Sequence, residues 1–449
     1  MNRRDFFKTT IGMAASMALA PSLFSLESGM MLPLDDVEFS GGSDAQTLII
    51  YLMGGMGEII ANMSNFDELK TKDAKYNDYL NIFNRTSDGE YWVEAGGEFI
   101  KEMVDDGNAT IFRTCLQKDT LRAHLLNQIR NMRGNDVGYD SGMVSTLMHI
   151  LSRNVSGIEQ KLMPNVSFVD SNFQLLTDGG TSSALPGSLK PVSFSPTRLS
   201  NPFTRKNSAV DVYANYPMLD DLSNQMNKDA KWNPLIGQMF ANREQYYSFV
   251  EKLLNSALPE GIDYRSEIKG TVRYDDFNFG NTIEAAMRIL LMNPDTRVVS
   301  MATQSWDDHS NALSAHRDRG YYLFKAIKTA MDHAKAAGRE NINIILFGDF
   351  GRNMMINSAL GWDHGNNQNF MWFGGKKSIN HLGVVGETKL TGSYGRIFTE
   401  PAEDSYTFEP YAIAATFYKL YGVKNPEILT GGRKAIGDDA LGVNFVKPI

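Results

Sequence analysis

The chain is almost devoid of cysteine: Cys115 is the only one in 449 residues. A lone thiol excludes an internal disulfide, and no cysteine-ligated zinc site or iron–sulfur cluster can be assembled within one chain. Cys115 lies in the apolar run 109–115 and reads as a small buried residue. The sequence also lacks a Rossmann fingerprint, a haem-attachment motif, and a P-loop lysine beyond the glycines at 54, 55 and 57, so a nucleotide or redox protein is not indicated. No run after residue 21 is long and apolar enough to span a membrane. Basic residues are outnumbered, 44 Lys and Arg against 52 Asp and Glu, for a formal net charge of −8. They form no stripe that could pair with phosphates, which excludes nucleic acid as a partner. Pro/Ser linkers and internal repeats are missing too, so one large domain over residues 45–445 fits better than two independent ones.

What is present begins with Met1-Asn2-Arg3-Arg4-Asp5-Phe6-Phe7-Lys8, then a weakly apolar run over 9–20 ending Ala18-Leu19-Ala20. A basic start, a short apolar stretch and an Ala-x-Ala ending describe an export signal over residues 1–20, and the paired arginines point to the twin-arginine route. The expected location is the periplasm. Removal of that segment, with three basic residues and one acidic, takes the charge from −8 to −10. No cysteine near its end offers a lipid anchor.

Apolar runs at 47–53, 109–115, 165–169, 297–303, 341–347 and 368–373 predict strands, and the first is near-continuous, as expected for a strand buried on both faces. Amphipathic patterns at 98–104, 142–151, 234–257, 281–291, 321–337 and 411–421 predict helices, with another reaching about 133. Strands alternating with helices predict an α/β fold: a doubly wound, mostly parallel sheet flanked by helices. Residues 171–232, rich in Ser, Pro, Asn and Asp, predict a long irregular insertion. His149 and His333 fall inside helices and read as packing or surface residues.

Three short clusters carry the chemistry: Ser305-Trp306-Asp307-Asp308-His309 after one strand, Gly348-Asp349-Phe350-Gly351-Arg352 after the next, and Gly361-Trp362-Asp363-His364-Gly365 before a third. Carboxyl ends of parallel strands meet at one edge, so acids and histidines placed there can converge. Carboxylate and imidazole together suit a divalent metal, zinc or manganese better than calcium or magnesium. Each cluster also has an ordinary structural reading, since Asp and His cap helices and close turns. Trp306 and Trp362 could line a pocket or pack the bases of the loops.

These elements, in this order, together with the strand before Gly54-Gly55-Met56 and with Gly374-Gly375 after a strand, resemble the family catalogued as domain of unknown function 1501, placed in the alkaline phosphatase and sulfatase superfamily. The resemblance covers residues 45–445 and implies an alkaline phosphatase-like fold and one or two divalent metals at the strand ends. Carried over residue by residue, it implies Asp307, His309, Asp349, Asp363 and His364 as ligands or orienting partners, and Arg352 and His124 as candidate catalytic residues. The family's first loop usually has an acid where this chain has Gly57, which leaves Glu58 as the metal-binding candidate there. Where the family often has Ser-His-Phe, this chain has Ala123-His124-Leu125, with Thr120 the nearby hydroxyl; after the strand ending at Gly348, Asp349 is followed by Phe350 rather than His. Two functions remain open: a metal-dependent phosphate or sulfate ester hydrolase without the usual nucleophile, acting on a small anionic ester, and a non-catalytic binding or assembly protein that keeps the fold and meets a protein partner.

Overall fold

The computed structural model describes residues 32–118, 122–139, 141–168, 185–193, five positions between 245 and 253, 255–264, 279–303, 305–392, 395–439 and 441–448. The export segment, Thr120, and most of the helix expected at 234–257 lie outside these residues.

In chain order the elements that build the site are β1 (Gln46–Leu52), α1 (Phe66–Lys72), α2 (Gly97–Asp105), β2 (Ala109–Leu116), α3 (His124–Arg133), α4 (Met143–Asn154), β3 (Asn165–Ser167), β4 (Val192–Ser193), α5 (Phe279–Met292), β5 (Val298–Thr303), α6 (Ala312–Ala336) and β6 (Ile342–Gly348). There follow β7 (Arg352–Ile356), β8 (Trp362–His364), β9 (Asn367–Gly374), β10 (Gly383–Val385), β11 (Thr388–Thr391), β12 (Phe398–Pro401) and α7 (Tyr411–Leu420). Eight strands form one sheet in the order β10-β2-β9-β6-β1-β5-β3-β4. All neighbours run parallel except at β9, which is antiparallel to both β2 and β6. Of the expected irregular stretch 171–232 only residues 185–193 are described, and they supply the edge strand β4.

Every residue of β1 is buried, and its side chains alternate between two cores. Leu48, Ile50 and Leu52 pack with α2, α5 and α6; Ile49 and Tyr51 face the other way, toward α4 and α7. A strand with two apolar faces needs helices on both, which is what makes the sheet doubly wound. Full burial of each such aliphatic side chain contributes about 1.5–3 kcal/mol. α6 starts at Ala312, nine residues before the expected 321, because its first turns carry His316, Arg317, Asp318, Arg319 and Gly320, which obscure the apolar period.

Register fixes the position of the site. Leu52 pairs with Thr303 of β5 and with Gly348 of β6, so these three strands end level with one another. β2 ends at the same edge, where Leu116 pairs with Asn367, the first residue of antiparallel β9.

Candidate metal centre

Four side chains converge above that edge, one from the start of α3, two from the loop after β5 and one from the end of β8. His124, Asp307, His309 and His364 each offer one donor atom, and these atoms lie within 4.8 Å of one another. His364 Nε2 is 2.9 Å from His124 Nε2 and 3.0 Å from His309 Nε2. Asp307 Oδ1 is 3.1, 3.0 and 3.6 Å from the Nε2 atoms of His124, His309 and His364.

The second nitrogen of each ring explains the arrangement. His364 Nδ1 is 2.7 Å from the carbonyl oxygen of Arg122, which can only accept, so this nitrogen carries the proton. His124 Nδ1 faces Asp349 Oδ2 at 2.8 Å and His309 Nδ1 faces Asp363 Oδ1 at 3.0 Å, and carboxylates also accept. With the rings neutral, as ligation requires, all three therefore direct a bare Nε2 lone pair at the same small space, where a carboxylate oxygen joins them. Four acceptors cannot satisfy one another; a cation satisfies them all. Zinc bonds of 2.0–2.1 Å in a tetrahedron give donor separations of about 3.3 Å; five of the separations here, 2.9 to 3.6 Å, bracket that value, and His124 and His309 lie within 4.8 Å of each other. The residues fit a single tetrahedral ion.

Electrostatics agree. Burial works against a charge on Asp307, yet the imidazoles of His124 and His364 beside it and the guanidinium of Arg352 hold its carboxyl well below the usual range. Burial also disfavours charge on His124, but Asp307 and Asp349 outweigh it and carry the imidazole up to about 9. Without an ion, a proton on His124 Nε2 eases the cluster.

Several expected site residues take other places. Asp349 lies outside the four-donor group; it is fully buried, and its Oδ2 accepts from His124 Nδ1, from Gln128 Nε2 at 2.8 Å and from the Gly54 amide at 2.9 Å. His124 belongs to the donor group itself. Asp363 backs His309 from the solvent side. Arg352 is fully buried: it donates to the carbonyls of Gly55, Trp306, Trp362 and Gly54 and to Asp307 Oδ1 at 3.0 Å. Glu58 points into the core, accepting from the Arg352 amide at 3.0 and 3.1 Å and from Thr399 Oγ1 at 3.3 Å, and burial lifts its carboxyl to about 8.

Gly57 has a steric reason. A Cβ there would lie 2.5 Å from the ring of Trp362, so an acidic side chain has no room at this position. Gly54, at φ 109°, passes so close to the next loop that a Cβ would meet the Asp307 amide at 2.3 Å. The tryptophans pack the loop bases: Trp306 and Trp362 are buried, each edge-on to His316 at 5.3 and 5.2 Å. His316, which sequence reasoning missed, accepts from the Gly57 amide at 3.1 Å and faces Asp308 at 3.2 Å. Gln128 and Asn131 were missed as well, although they share a helix face with His124 at spacings of four and seven. Asn131 donates to the carbonyls of Gly348 and Asp349, both at 3.0 Å.

Backbone strain gathers around the cluster. Arg122, Ser305, Asn311 and Leu360 all have φ between 52° and 74° and flank His124, Asp307, His309 and the β8 strand that carries His364. Non-glycine residues held in the left-handed region persist where surrounding structure over-determines them, commonly at functional sites.

A family model described as "Protein of unknown function (DUF1501)" matches residues 154–433. The chain belongs to the DUF1501 family. No curated protein matches the sequence. Solved structures similar to it include the zinc complex of the C-terminal periplasmic domain of EptC from Escherichia coli, 9% identical over 91% of this chain and 92% of that one, TM-score 0.38. Another is a protein in the alkaline phosphatase superfamily from Vibrio parahaemolyticus, 11% identical over 90% and 75%, TM-score 0.36. A third is the lipoteichoic acid synthase LtaP from Listeria monocytogenes, 8% identical over 90% and 79%, TM-score 0.33. Likeness at this level establishes neither ligand nor chemistry for this DUF1501 member. Among the described residues, no helix is long and apolar enough to cross a membrane.

Proposed function

We propose that this DUF1501 protein is an exported, metal-dependent hydrolase of phosphate or sulfate esters whose ion is held by His124, Asp307, His309 and His364. The convergence of three imidazole lone pairs and one carboxylate oxygen carries the reading. A divalent ion there would supply Lewis acidity toward an ester oxygen and activate water. The protein's own residues do the rest. Asp363, Asp349 and the Arg122 carbonyl fix the three rings, and buried Arg352 fixes Asp307. Asp307 and His309 keep 42% and 46% of their side chains exposed, so the donor cluster opens to solvent where a small anionic ester can reach it. Export is proposed from the paired arginines and Ala-x-Ala ending of residues 1–20, and the ester class from the family resemblance.

Turnover of aryl phosphate and aryl sulfate, with zinc or manganese supplied to chelator-treated protein, tests the proposal. It predicts metal-dependent hydrolysis that His309→Ala and His364→Ala abolish. Metal uptake without hydrolysis of either ester supports a second reading, a metal-holding binding or assembly module. That reading is favoured by Ala123, which offers no hydroxyl next to His124, and by Gly57, which offers no carboxylate.

A further inference from the structure

Asp349 has the composition of a ligand and the surroundings of something else. Its Oδ2 already receives three N–H donors, from His124, Gln128 and Gly54, at 2.8, 2.8 and 2.9 Å. An oxygen has two lone pairs, so three donors leave it no free direction toward an ion, and an ion at Oδ2 would have to displace His124. The other oxygen, Oδ1, is buried with no hydrogen-bond partner, but Asp349 lies outside the group whose donor atoms come within 4.8 Å of one another, and its side chain has no exposure.

Among the described residues, no lysine or arginine touches Asp349, and His124 is the one partner in direct contact that can become cationic. A carboxylate buried this way gains its compensation through the imidazole, from positive charge placed on the far nitrogen. The exchange works in both directions. The carboxylate makes His124 Nε2 a better electron-pair donor and locks the ring's tautomer and angle, as outer carboxylates do behind metal-bound histidines. Because the same oxygen binds the Gly54 amide, and Gly54 approaches the Asp307 backbone too closely to admit a Cβ, the contact also ties α3 to the loops after β1 and β5.

We propose that Asp349 is a positioning residue, not a ligand: it sets the affinity of the centre through His124 Nδ1 and braces the loop at Gly54. This rests on the metal reading above, and the two fail separately. If the unsubstituted full chain takes up no zinc or cobalt, the metal reading falls.

The experiment is titration of the metal-free full chain and of Asp349→Asn with zinc in the presence of a competing chelator, with visible absorption of the cobalt-loaded forms recorded alongside. An outer partner predicts a 10- to 100-fold loss of affinity with unchanged stoichiometry and an unchanged cobalt band pattern, since the donor atoms are the same. Unaltered affinity, or a changed band pattern showing a lost oxygen donor, overturns the inference. If Asp349→Asn does not fold, imidazole nitrogen NMR of the zinc-loaded unsubstituted chain decides. The inference predicts a slowly exchanging, strongly downfield proton on His124 Nδ1 with zinc on Nε2. A His124 Nδ1 without that proton overturns it.

Discussion

His124 and His364 face each other Nε2 to Nε2 across 2.9 Å, while their Nδ1 atoms are held by Asp349 and by the Arg122 carbonyl. With both rings neutral, as ligation requires, that posture opposes two lone pairs unless a cation lies between them. An ion between them should therefore stabilise the fold measurably. With zinc at 100 times its dissociation constant, linkage gives about 2.7 kcal/mol, read as a rise in melting temperature that excess chelator reverses. His364→Ala should melt at the same temperature with and without zinc.

Arg352 should be among the least replaceable residues. Its guanidinium donates to four backbone carbonyls and to Asp307 with no exposure to water. Arg352→Met leaves those buried carbonyls without a donor, a loss of about 1–3 kcal/mol or more, measured by urea denaturation. Arg352→Lys should recover only part, because one ammonium has three donors and no planar fork.

Restoring an acid at position 57 should harm the protein, not repair it. The Gly57 backbone is relaxed at φ −64°, so the penalty is steric: a Cβ at 2.5 Å from the buried Trp362 ring must push apart the packing around His316. Gly57→Asp and Gly57→Ala should each cost about 1–3 kcal/mol or more. A Gly57→Asp protein as stable as the parent would show that the ring can yield.

His381 gives a pH signature away from the metal centre. Burial lowers it to about 4, although its Nε2 donates to the Gly374 carbonyl at 2.7 Å. Between pH 6.5 and 4 the unfolded chain binds a proton there that the folded chain does not, so stability falls as pH drops through this window. The contribution is up to about 3 kcal/mol. His381→Gln should show a shallower loss of urea stability from pH 6.5 to 4 than the parent, with no difference above pH 7.

The buried strands were legible because apolar runs such as 47–53 and 341–347 have no polar face to hide. Asp307 and His309 were legible as candidates because they stand just beyond the apolar run of β5, and His364 because it stands just before that of β9. The division of labour was not. Whether Asp349 or His124 enters the donor group depends on antiparallel β9 lying between β2 and β6, which swings the start of α3 over the strand ends, and that pairing is set by residues far apart in sequence. Glu58 looked available beside a glycine turn, yet the one-turn helix Glu58–Ile60 sends it into the core. The hairpins β7–β8 and β11–β12 escaped notice because strands such as Thr388–Thr391 are short and mostly polar.

The central claim is that His124, Asp307, His309 and His364 hold one divalent ion. Elemental analysis of the full chain, purified without chelator and dialysed against metal-free buffer after zinc loading, tests it directly. The account predicts about one zinc per chain, falling to background in His364→Ala. Background metal in the parent protein, or an unchanged content in His364→Ala, would contradict it.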